Sequence, residues 1–336
     1  MFKNFQRRKI IYACSYAPRQ DLLYDRFKDT CCVAFENGYG VYDGITGAKE
    51  SVCQIPYTNP KFIYTINMSN IVVIVPKADL TLYIWDRHKN TFLSMIPLQE
   101  RMRITALRFR PDYICVITAN SVVAVNLYDQ SIISSIATAS NAYGAFDMVD
   151  KFSENLAVIL GNEVGCFTFH SYDNPDKKYP IINAFPKDIT VLKMSPNGNL
   201  VAVASFGCNR IRFFTVPDGE ESMSLSLPMS ENGAVFIEFD KYDSSLFVVT
   251  PANNLYIFDL HGIDINSKVD PSVSLHYETY YYLPEHEYFW AYYGSMMNTI
   301  ILVSQSAYHY RLKYNRKKKT LELAEKTKLD LAHEFR

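Results

Sequence analysis

The feature that most restricts the fold of this chain is an internal repeat of short apolar strands, each followed by a polar turn. Seven copies occur in the 336 residues, and consecutive copies are 43, 41, 44, 44, 44 and 53 residues apart. The central residues used for this spacing are Val41, Ile84, Val125, Phe169, Phe213, Ile257 and Tyr310. A period of about 40 to 45 residues is that of a β-propeller blade. The repeat therefore predicts an all-β, WD40-like seven-bladed propeller.

The sequence between the repeats supplies the remaining strands of each blade. Residues 189–194 and 200–204 are strand-like runs joined by a turn in which Pro196 fixes φ and Gly198 tolerates a positive φ. Because each blade buries its apolar faces only against neighbouring blades, we expect a single domain over residues 1–336. An inserted loop is expected at about residues 18–28 and a C-terminal tail at about 325–336. Residues 321–335 are the candidate for a helix, and their first half suits a final blade strand equally well.

Composition and charge exclude several classes of function. The formal net charge of -1 gives no global field that would attract nucleic acid or an anionic membrane. The longest strongly apolar run, Ile71–Val75, has five residues, whereas a membrane helix needs about 20. The seven cysteines are odd in number and contain no Cys-x-x-Cys pair, so we expect buried thiols rather than disulfides or a zinc site. We expect a cytoplasmic protein that does not bind nucleic acid.

No motif with catalytic chemistry is present in the sequence. There is no Gly-x-Ser-x-Gly and no P-loop, and the spacing of Gly38, Gly40 and Gly44 does not fit a dinucleotide fingerprint. The seven histidines never occur four residues apart, the spacing that places two metal ligands on one helix face. We therefore expect a protein that is not an enzyme and that uses no metal or other cofactor.

Two basic clusters have both a structural and a functional interpretation. Four arginines alternate with apolar residues at 101–110, and four adjacent cations occupy a turn between the last two strands. Both clusters suit solvated strand ends, but four cations near an anionic membrane could each contribute about 1 kcal/mol of attraction. The clusters are Arg101, Arg103, Arg108 and Arg110, and Arg316, Lys317, Lys318 and Lys319.

Several segments, taken in order, resemble the PROPPIN family, the seven-bladed phosphoinositide-binding propellers of autophagy. Asn141–Ala145 stands where that family has an Asn-Pro-x-Gly-Leu signature, and Leu192–Ser205 followed by Arg210–Phe214 is similar to its fifth blade. The segments similar to its first three blades are Cys31–Asp43, Leu80–Asp86, Asn90–Ile96 and Ile104–Arg110. The resemblance covers most of the chain and implies the same propeller fold.

The chain departs from the family where the resemblance implies lipid binding. The family's Phe/Leu-Arg-Arg-Gly motif places one arginine in each of two head-group pockets, but residues 225–228 here are Leu-Ser-Leu-Pro. Two pocket histidines are replaced by Phe185 and Ala252. The positions that still match the pockets are Ser205, Arg212 and Thr250. A phosphate monoester is usually held by bidentate arginine, so we expect binding of phosphatidylinositol 3-phosphate and 3,5-bisphosphate to be weak or lost.

The second membrane device of the family is a long loop between the outer strands of blade 6. Here the corresponding span, 261–276, is short and polar. Its candidates for membrane insertion are Val269, Val273 and Leu275. Three small aliphatic side chains anchor weakly, at about 0.8 kcal/mol per buried methylene. Because the turn between the third and fourth strands lies on the same face in every blade of a propeller, we expect the Arg316–Lys319 turn to lie beside this loop.

The resemblance implies a non-enzymatic scaffold or adaptor in autophagy or related membrane traffic. The alternative is a phosphoinositide-binding recruitment module that retains lipid binding through other residues. The family also implies a large lipid-transfer protein as partner, contacting the region of blades 2 and 3, and peripheral association with autophagic or endosomal membranes. By position alone, the candidate partner surface contains Pro76, Lys77, Asp79, Arg101 and Arg103.

Overall fold

The structure is a computed structural model. It describes residues 10–16, 30–55, 60–65, 70–76, 81–98, 103–110, 113–151, 154–242, 244–260, 274–284, 287–294, 296 and 298–331. The expected inserted loop at 18–28 lies outside the described residues, as does the end of the expected tail, 332–336.

The described residues form seven sheets, one for each sequence repeat. Blade 1 has β1 (Ile10–Tyr16), β2 (Thr30–Phe35), β3 (Gly38–Asp43) and β4 (Lys49–Gln54), and blade 2 has β5 (Pro60–Thr65), β6 (Ile71–Pro76), β7 (Thr81–Asp86) and β8 (Thr91–Pro97). Blade 3 has β9 (Ile104–Phe109), β10 (Tyr113–Thr118), β11 (Ser121–Asn126) and β12 (Ile132–Ala137), and blade 4 has β13 (Phe146–Lys151), β14 (Glu154–Leu160), β15 (Cys166–Ser171) and β16 (Ile182–Asn183).

The remaining strands complete three further blades. Blade 5 has β17 (Ile189–Met194), β18 (Leu200–Ser205), β19 (Arg210–Thr215) and β20 (Glu221–Ser226), and blade 6 has β21 (Phe236–Phe239), β22 (Ser245–Val249) and β23 (Asn254–Asp259). A short β24 (Ser274–Leu275) pairs in parallel with β20, and β25 (Thr279–Tyr282) completes blade 6. Blade 7 has β26 (Phe289–Tyr293), β27 (Thr299–Ser304), β28 (Tyr308–Asn315) and β29 (Thr320–Lys328). The fold is a seven-bladed β-propeller, as the repeat predicts.

Burial along the strands explains why the chain forms sheets rather than helices. The second strand of blade 5, β18, reads LVAVAS and is buried at every position, so both of its faces pack against neighbours. The outer strand of blade 3, β12, is largely exposed. Small and β-branched residues suit the central strands, because they pack closely on both faces of a pleated sheet. The turn before β18 has the expected form: Gly198 has φ +71° and its N–H donates to the Ser195 carbonyl at 2.8 Å.

The chain divides into two compact units, one of Met1–Met102 with His286–Arg336 and one of Arg103–Glu285. The first contains blades 1, 2 and 7, and the second contains blades 3 to 6. In the second, the facing sheets of blades 4 and 5 share a core that includes Phe167, Leu192, Val203 and Phe214. The expectation of a single domain over 1–336 stays a prediction.

Blades 7 and 1 are joined by side chains, and their described strands are not exchanged between the two sheets. The Tyr42 hydroxyl donates to the backbone carbonyl of Asp330 at 2.8 Å, and the Lys49 ammonium lies 2.8 Å from the Asp330 carboxylate. A hydrophobic cluster that includes Phe35 and Val303 lies beneath these contacts. Of the two interpretations of residues 321–335, the strand is confirmed as far as Lys328.

The described part of the chain contains no helix with the length and apolarity that a membrane span requires. Its cysteines are free thiols, five of them buried and Cys208 half-buried.

Candidate functional site

Arg212, the arginine that still matches the family's head-group pockets, is engaged by its own blade. On β19, its Nε donates to Glu221 Oε1 at 2.8 Å and its second terminal nitrogen donates to Glu221 Oε2. The other terminal nitrogen donates to the carbonyl of Ala184. The guanidinium lies over the rings of Phe185 and Phe214, at 5.6 and 5.2 Å from their centroids. Hydrogen bonding to Glu221 raises the pKa of Arg212, so the guanidinium stays charged and its charge is paired within the protein.

The two hydroxyl residues of the expected pockets are also satisfied internally. Ser205 is buried and its Oγ donates to the carbonyl of Asp188 at 2.9 Å. Thr250 is fully buried, and its Oγ1 accepts from the backbone N–H of Asn254 at 3.4 Å. Both hydroxyls therefore support loops of the propeller, and neither is presented to solvent.

The pocket positions at which this chain differs from the family carry no cationic side chain. Ser226 ends β20 and is half-buried, while Leu227 is buried and its N–H donates to the Asn209 carbonyl at 2.7 Å. Phe185 is buried and lies beneath Arg212, while Ala252 is exposed. An apolar ring and a buried leucine thus stand where the resemblance implies cationic groups.

Beyond these positions, the loop after Leu227 brings a buried acid to blade 6. Glu231 accepts hydrogen bonds from the Asn254 amide at 2.6 Å and the Tyr256 hydroxyl at 2.8 Å. The rings of Tyr277 and Tyr280 contact the ring of Tyr256, and the ring of Tyr282 contacts that of Tyr280. The sequence gives no sign of this buried acid, because a lone Glu in a polar loop does not indicate burial.

A row of alternating charges crosses the first strands of blades 3 to 6, and no motif in the sequence indicates it. Lys193 on β17 has its Nζ 3.0 Å from Glu238 Oε1 and 3.5 Å from Asp147 Oδ2. The Asp147 carboxylate also lies 3.8 Å from Arg108 Nε and accepts the Met194 N–H at 3.0 Å. Arg108 therefore belongs to a structural ion-pair network.

Burial shifts the titration of this row. It raises the pKa of Glu238, because the charged carboxylate loses solvation. Burial acts in the opposite direction on Lys193, but the carboxylates of Asp147 and Glu238 outweigh it, so the pKa of Lys193 is raised. The Lys193 ammonium opposes the upward shift in the pKa of Glu238, and the two carboxylates in turn favour the charged form of Lys193.

The second basic cluster forms the tip of the hairpin between β28 and β29, as expected. These strands have eight and nine residues, whereas most strands of the other blades have six. At the tip, Arg316 is half-buried and Lys317, Lys318 and Lys319 are exposed. Neither Lys317 nor Lys318 forms an ion pair with any described residue. This hairpin thus presents cations to solvent.

The residues assigned by position to a partner surface differ in burial, and three of the five lie outside the described residues. Pro76 is buried at the end of β6 and Arg103 is exposed before β9. Lys77, Asp79 and Arg101 lie outside the described residues. The outer strand of blade 2, β8, carries a more prominent feature, because Phe92, Leu93 and Met95 are each about half exposed.

The blade 6 connection is described only at its end. Residues 261–273, which include Val269 and Val273, lie outside the described residues. Leu275, the third candidate for membrane insertion, lies in β24, whose backbone pairs with Leu225 of β20. The end of the connection is therefore tied to blade 5.

Comparison with known proteins supports the fold. No family model matches the chain. The crystal structure of Hsv2 from Kluyveromyces marxianus is 14% identical, with a TM-score of 0.76 over 96% of this chain and 99% of that chain. Hsv2 from Kluyveromyces lactis is also 14% identical, with a TM-score of 0.73 over 96% of this chain and 100% of that chain. KlAtg21, solved with the coiled coil of AgAtg16, is 13% identical, with a TM-score of 0.69 over 90% of this chain and 96% of that chain. The propeller fold implied by the PROPPIN resemblance is confirmed.

Proposed function

We propose that this chain is a PROPPIN-like adaptor of autophagy or related membrane traffic, non-enzymatic, with phosphoinositide binding lost or weakened. The observation that carries the proposal is the bidentate contact of Arg212 with Glu221. A guanidinium held by its own carboxylate, with a third donor on a backbone carbonyl, has little capacity left for a phosphate. The fold shared with Hsv2 and Atg21 supports the adaptor role, and the Atg21 structure with a coiled coil supports a protein partner.

Liposome flotation tests the proposed loss of lipid binding. Vesicles with phosphatidylinositol 3-phosphate or 3,5-bisphosphate should bind the chain no better than vesicles of equal charge without them. Ser226→Arg should raise head-group-specific binding, because it adds a cation at a half-buried position, whereas Ser306→Arg adds the same charge elsewhere and serves as the control. Leu227→Arg should mainly destabilise the fold, since Leu227 is buried. Submicromolar, head-group-specific binding by the unmodified chain would contradict the proposal.

The adaptor needs a partner surface, and the outer strand of blade 2 is the surface we propose. The edge of β8 is not covered by another described strand, and Phe92, Leu93 and Met95 add exposed apolar area. An open strand edge with exposed apolar side chains suits an extended segment added as a further strand. The expected partner is a lipid-transfer protein of autophagy. Leu93→Arg should weaken its capture in a pull-down, and Leu323→Arg, an exposed leucine on β29, should not.

A second candidate function is membrane recruitment through other residues. Lys317 and Lys318 at the β28–β29 tip favour it, because both are exposed and can make nonspecific contact with acidic lipid. We propose peripheral association of a cytoplasmic protein by this route. Vesicle sedimentation with Arg316, Lys317, Lys318 and Lys319 replaced by serine separates it from the adaptor function.

A further inference from the structure

The carboxylate of Glu231 is buried with one oxygen unsatisfied. The side chain is 3% exposed, and the N–H of Glu231 donates to the Pro228 carbonyl at 2.9 Å, which closes a turn. Oε1 accepts from both Asn254 and Tyr256, but Oε2 is buried and has no hydrogen-bond partner among the described residues. A buried carboxylate oxygen without a donor is costly, and a positive charge held close to it at the surface would offset part of that cost.

Four tyrosine rings of blade 6 form a chain of ring contacts that starts at Tyr256, the residue that donates to Glu231. The centroids of Tyr256 and Tyr277 are 4.9 Å apart, those of Tyr277 and Tyr280 are 6.0 Å apart, and those of Tyr280 and Tyr282 are 5.0 Å apart. Tyr256 is buried, whereas Tyr282 is 68% exposed. The faces of tyrosine rings attract cations through their quadrupole. The rings and the carboxylate therefore favour the same class of ligand, a cation.

At some other positions of the described chain, a lysine lies close to a tyrosine ring. Lys177 lies 5.0 Å from the ring of Tyr179, and Lys241 lies 4.8 Å from that of Tyr242. No lysine or arginine of the described residues lies over Tyr256, Tyr277, Tyr280 or Tyr282. The acid and tyrosine cluster, Glu231 with these four tyrosines, thus has no cation from the described part of the chain.

The partly exposed tyrosine rings select among cations. Tyr277, Tyr280 and Tyr282 are each exposed by a third or more, so a flat group can lie against them. Lysine is a compact and strongly hydrated charge, whereas the planar guanidinium of arginine is more weakly hydrated and stacks on aromatic rings. Arginine therefore suits these rings best, and its charge complements the buried carboxylate of Glu231.

A single amino acid would gain little area here, but a peptide would gain more. Met229, at the tip of the turn that holds Glu231, is 90% exposed, and Val235 on the same loop is 54% exposed. These two side chains offer apolar contact to residues that flank an arginine. We infer that the acid and tyrosine cluster binds an arginine side chain of a protein partner, with the guanidinium stacked on the exposed tyrosines and attracted by the buried carboxylate of Glu231.

This inference rests on the proposed adaptor function for the existence of a protein partner. It concerns a surface of blades 5 and 6, and its test uses neither lipid nor the β8 edge. A failure here would leave the proposed function standing, and a failure of the flotation or pull-down experiments would leave this site standing.

The test is fluorescence polarisation with the full chain and a labelled peptide, Gly-Leu-Arg-Ser-Leu-Arg-Gly, against the same peptide with citrulline in place of arginine. Citrulline keeps the shape and removes the charge. We expect the citrulline peptide to bind at least about fivefold more weakly. Equal binding of the two peptides, or no binding of either, would overturn the inference. Tighter binding of a trimethyl-lysine peptide, which carries the charge without a planar guanidinium, would overturn it too.

Variants of the cluster locate the binding. Glu231→Gln and Tyr282→Ala should each weaken the arginine peptide about fivefold, because the first removes the charge and the second a stacking face. Glu163→Gln and Tyr288→Ala change exposed residues of the same types on other blades and serve as matched controls. Thermal unfolding identifies a folding defect in Glu231→Gln, and Tyr282→Ala then decides alone, since its ring is largely exposed. Wild-type affinity in a folded Glu231→Gln or in Tyr282→Ala would overturn the inference.

Discussion

The cations of blade 5 and those of the blade 7 hairpin differ in what the fold does with them. Arg212 and Lys193 are each held by carboxylates of the same chain, at Glu221 and at Asp147 with Glu238. Lys317 and Lys318 at the β28–β29 tip face solvent instead. A positive charge in the sequence is therefore a candidate binding group only when the fold gives it no acid of its own. Glu231 is the inverse case, an acid to which the fold gives no cation.

The largest expected effect comes from removing the cation of the charge row. Lys193→Met leaves the carboxylates of Asp147 and Glu238 facing each other in a partly buried site. Loss of one partner from a buried ion pair costs about 3 to 5 kcal/mol. We expect the free energy of unfolding in urea to fall by this amount, and we expect Lys317→Met at the hairpin tip to leave it unchanged. Equal effects of the two variants would show that the row is not a structural network.

A smaller loss is expected at Arg212, together with a result on lipid. Arg212→Met leaves Glu221 without its partner, and because both side chains are partly exposed we expect a loss of about 1 to 3 kcal/mol. Binding to vesicles with phosphatidylinositol 3-phosphate should not change in flotation, since the guanidinium is already paired with Glu221. A selective loss of head-group binding in a folded Arg212→Met variant would instead make Arg212 a lipid ligand.

The repeat made the fold predictable, but which acid each cation pairs with depends on the register between neighbouring strands. Glu221 lies opposite Phe214, and a bulge between Phe213 and Phe214 shifts the pairing of β19 with β20. Arg212 reaches Glu221 diagonally across these strands, and the position of a bulge is not evident from an apolar pattern. The charge row left a weak signal, because Arg108, Asp147, Lys193 and Glu238 are 39, 46 and 45 residues apart, close to the blade period.

Buried and exposed histidines extend the comparison to pH. His309 is fully buried, and its Nε2 lies 3.0 Å from the Gly44 carbonyl, where it donates, while Nδ1 is buried without a partner. Burial lowers the pKa of His309, so the unfolded chain takes up a proton at a pH where the folded chain does not. Stability should therefore fall as the pH drops from about 6.5 towards the lower folded-state pKa, by up to about 1.4 kcal/mol per pH unit.

The His309→Gln variant checks this assignment, because glutamine retains a donor for the Gly44 carbonyl but does not titrate. Its unfolding free energy should change less between pH 7 and pH 5 than that of the wild type. His88→Gln, at an exposed position, should follow the wild-type curve. If His309→Gln keeps the full pH dependence, another group is responsible, and half-buried His170, whose pKa burial also lowers, would be examined next.

The smallest effect on stability, and the sharpest on membrane contact, is expected at the hairpin tip. Replacing Arg316, Lys317, Lys318 and Lys319 with serine should leave the unfolding transition almost unchanged, because three of the four side chains are exposed. If these cations attract acidic vesicles, sedimentation at low salt should fall in the variant. The wild-type attraction should also fade as the Debye length shortens from about 10 Å at 0.1 M salt to about 3 Å at 1 M. If the hairpin is only solvated, neither protein should bind the vesicles. Unchanged binding by the variant would instead assign the contact to the arginines at 101–110. Of these, Arg103 is exposed, whereas Arg108 is already paired with Asp147.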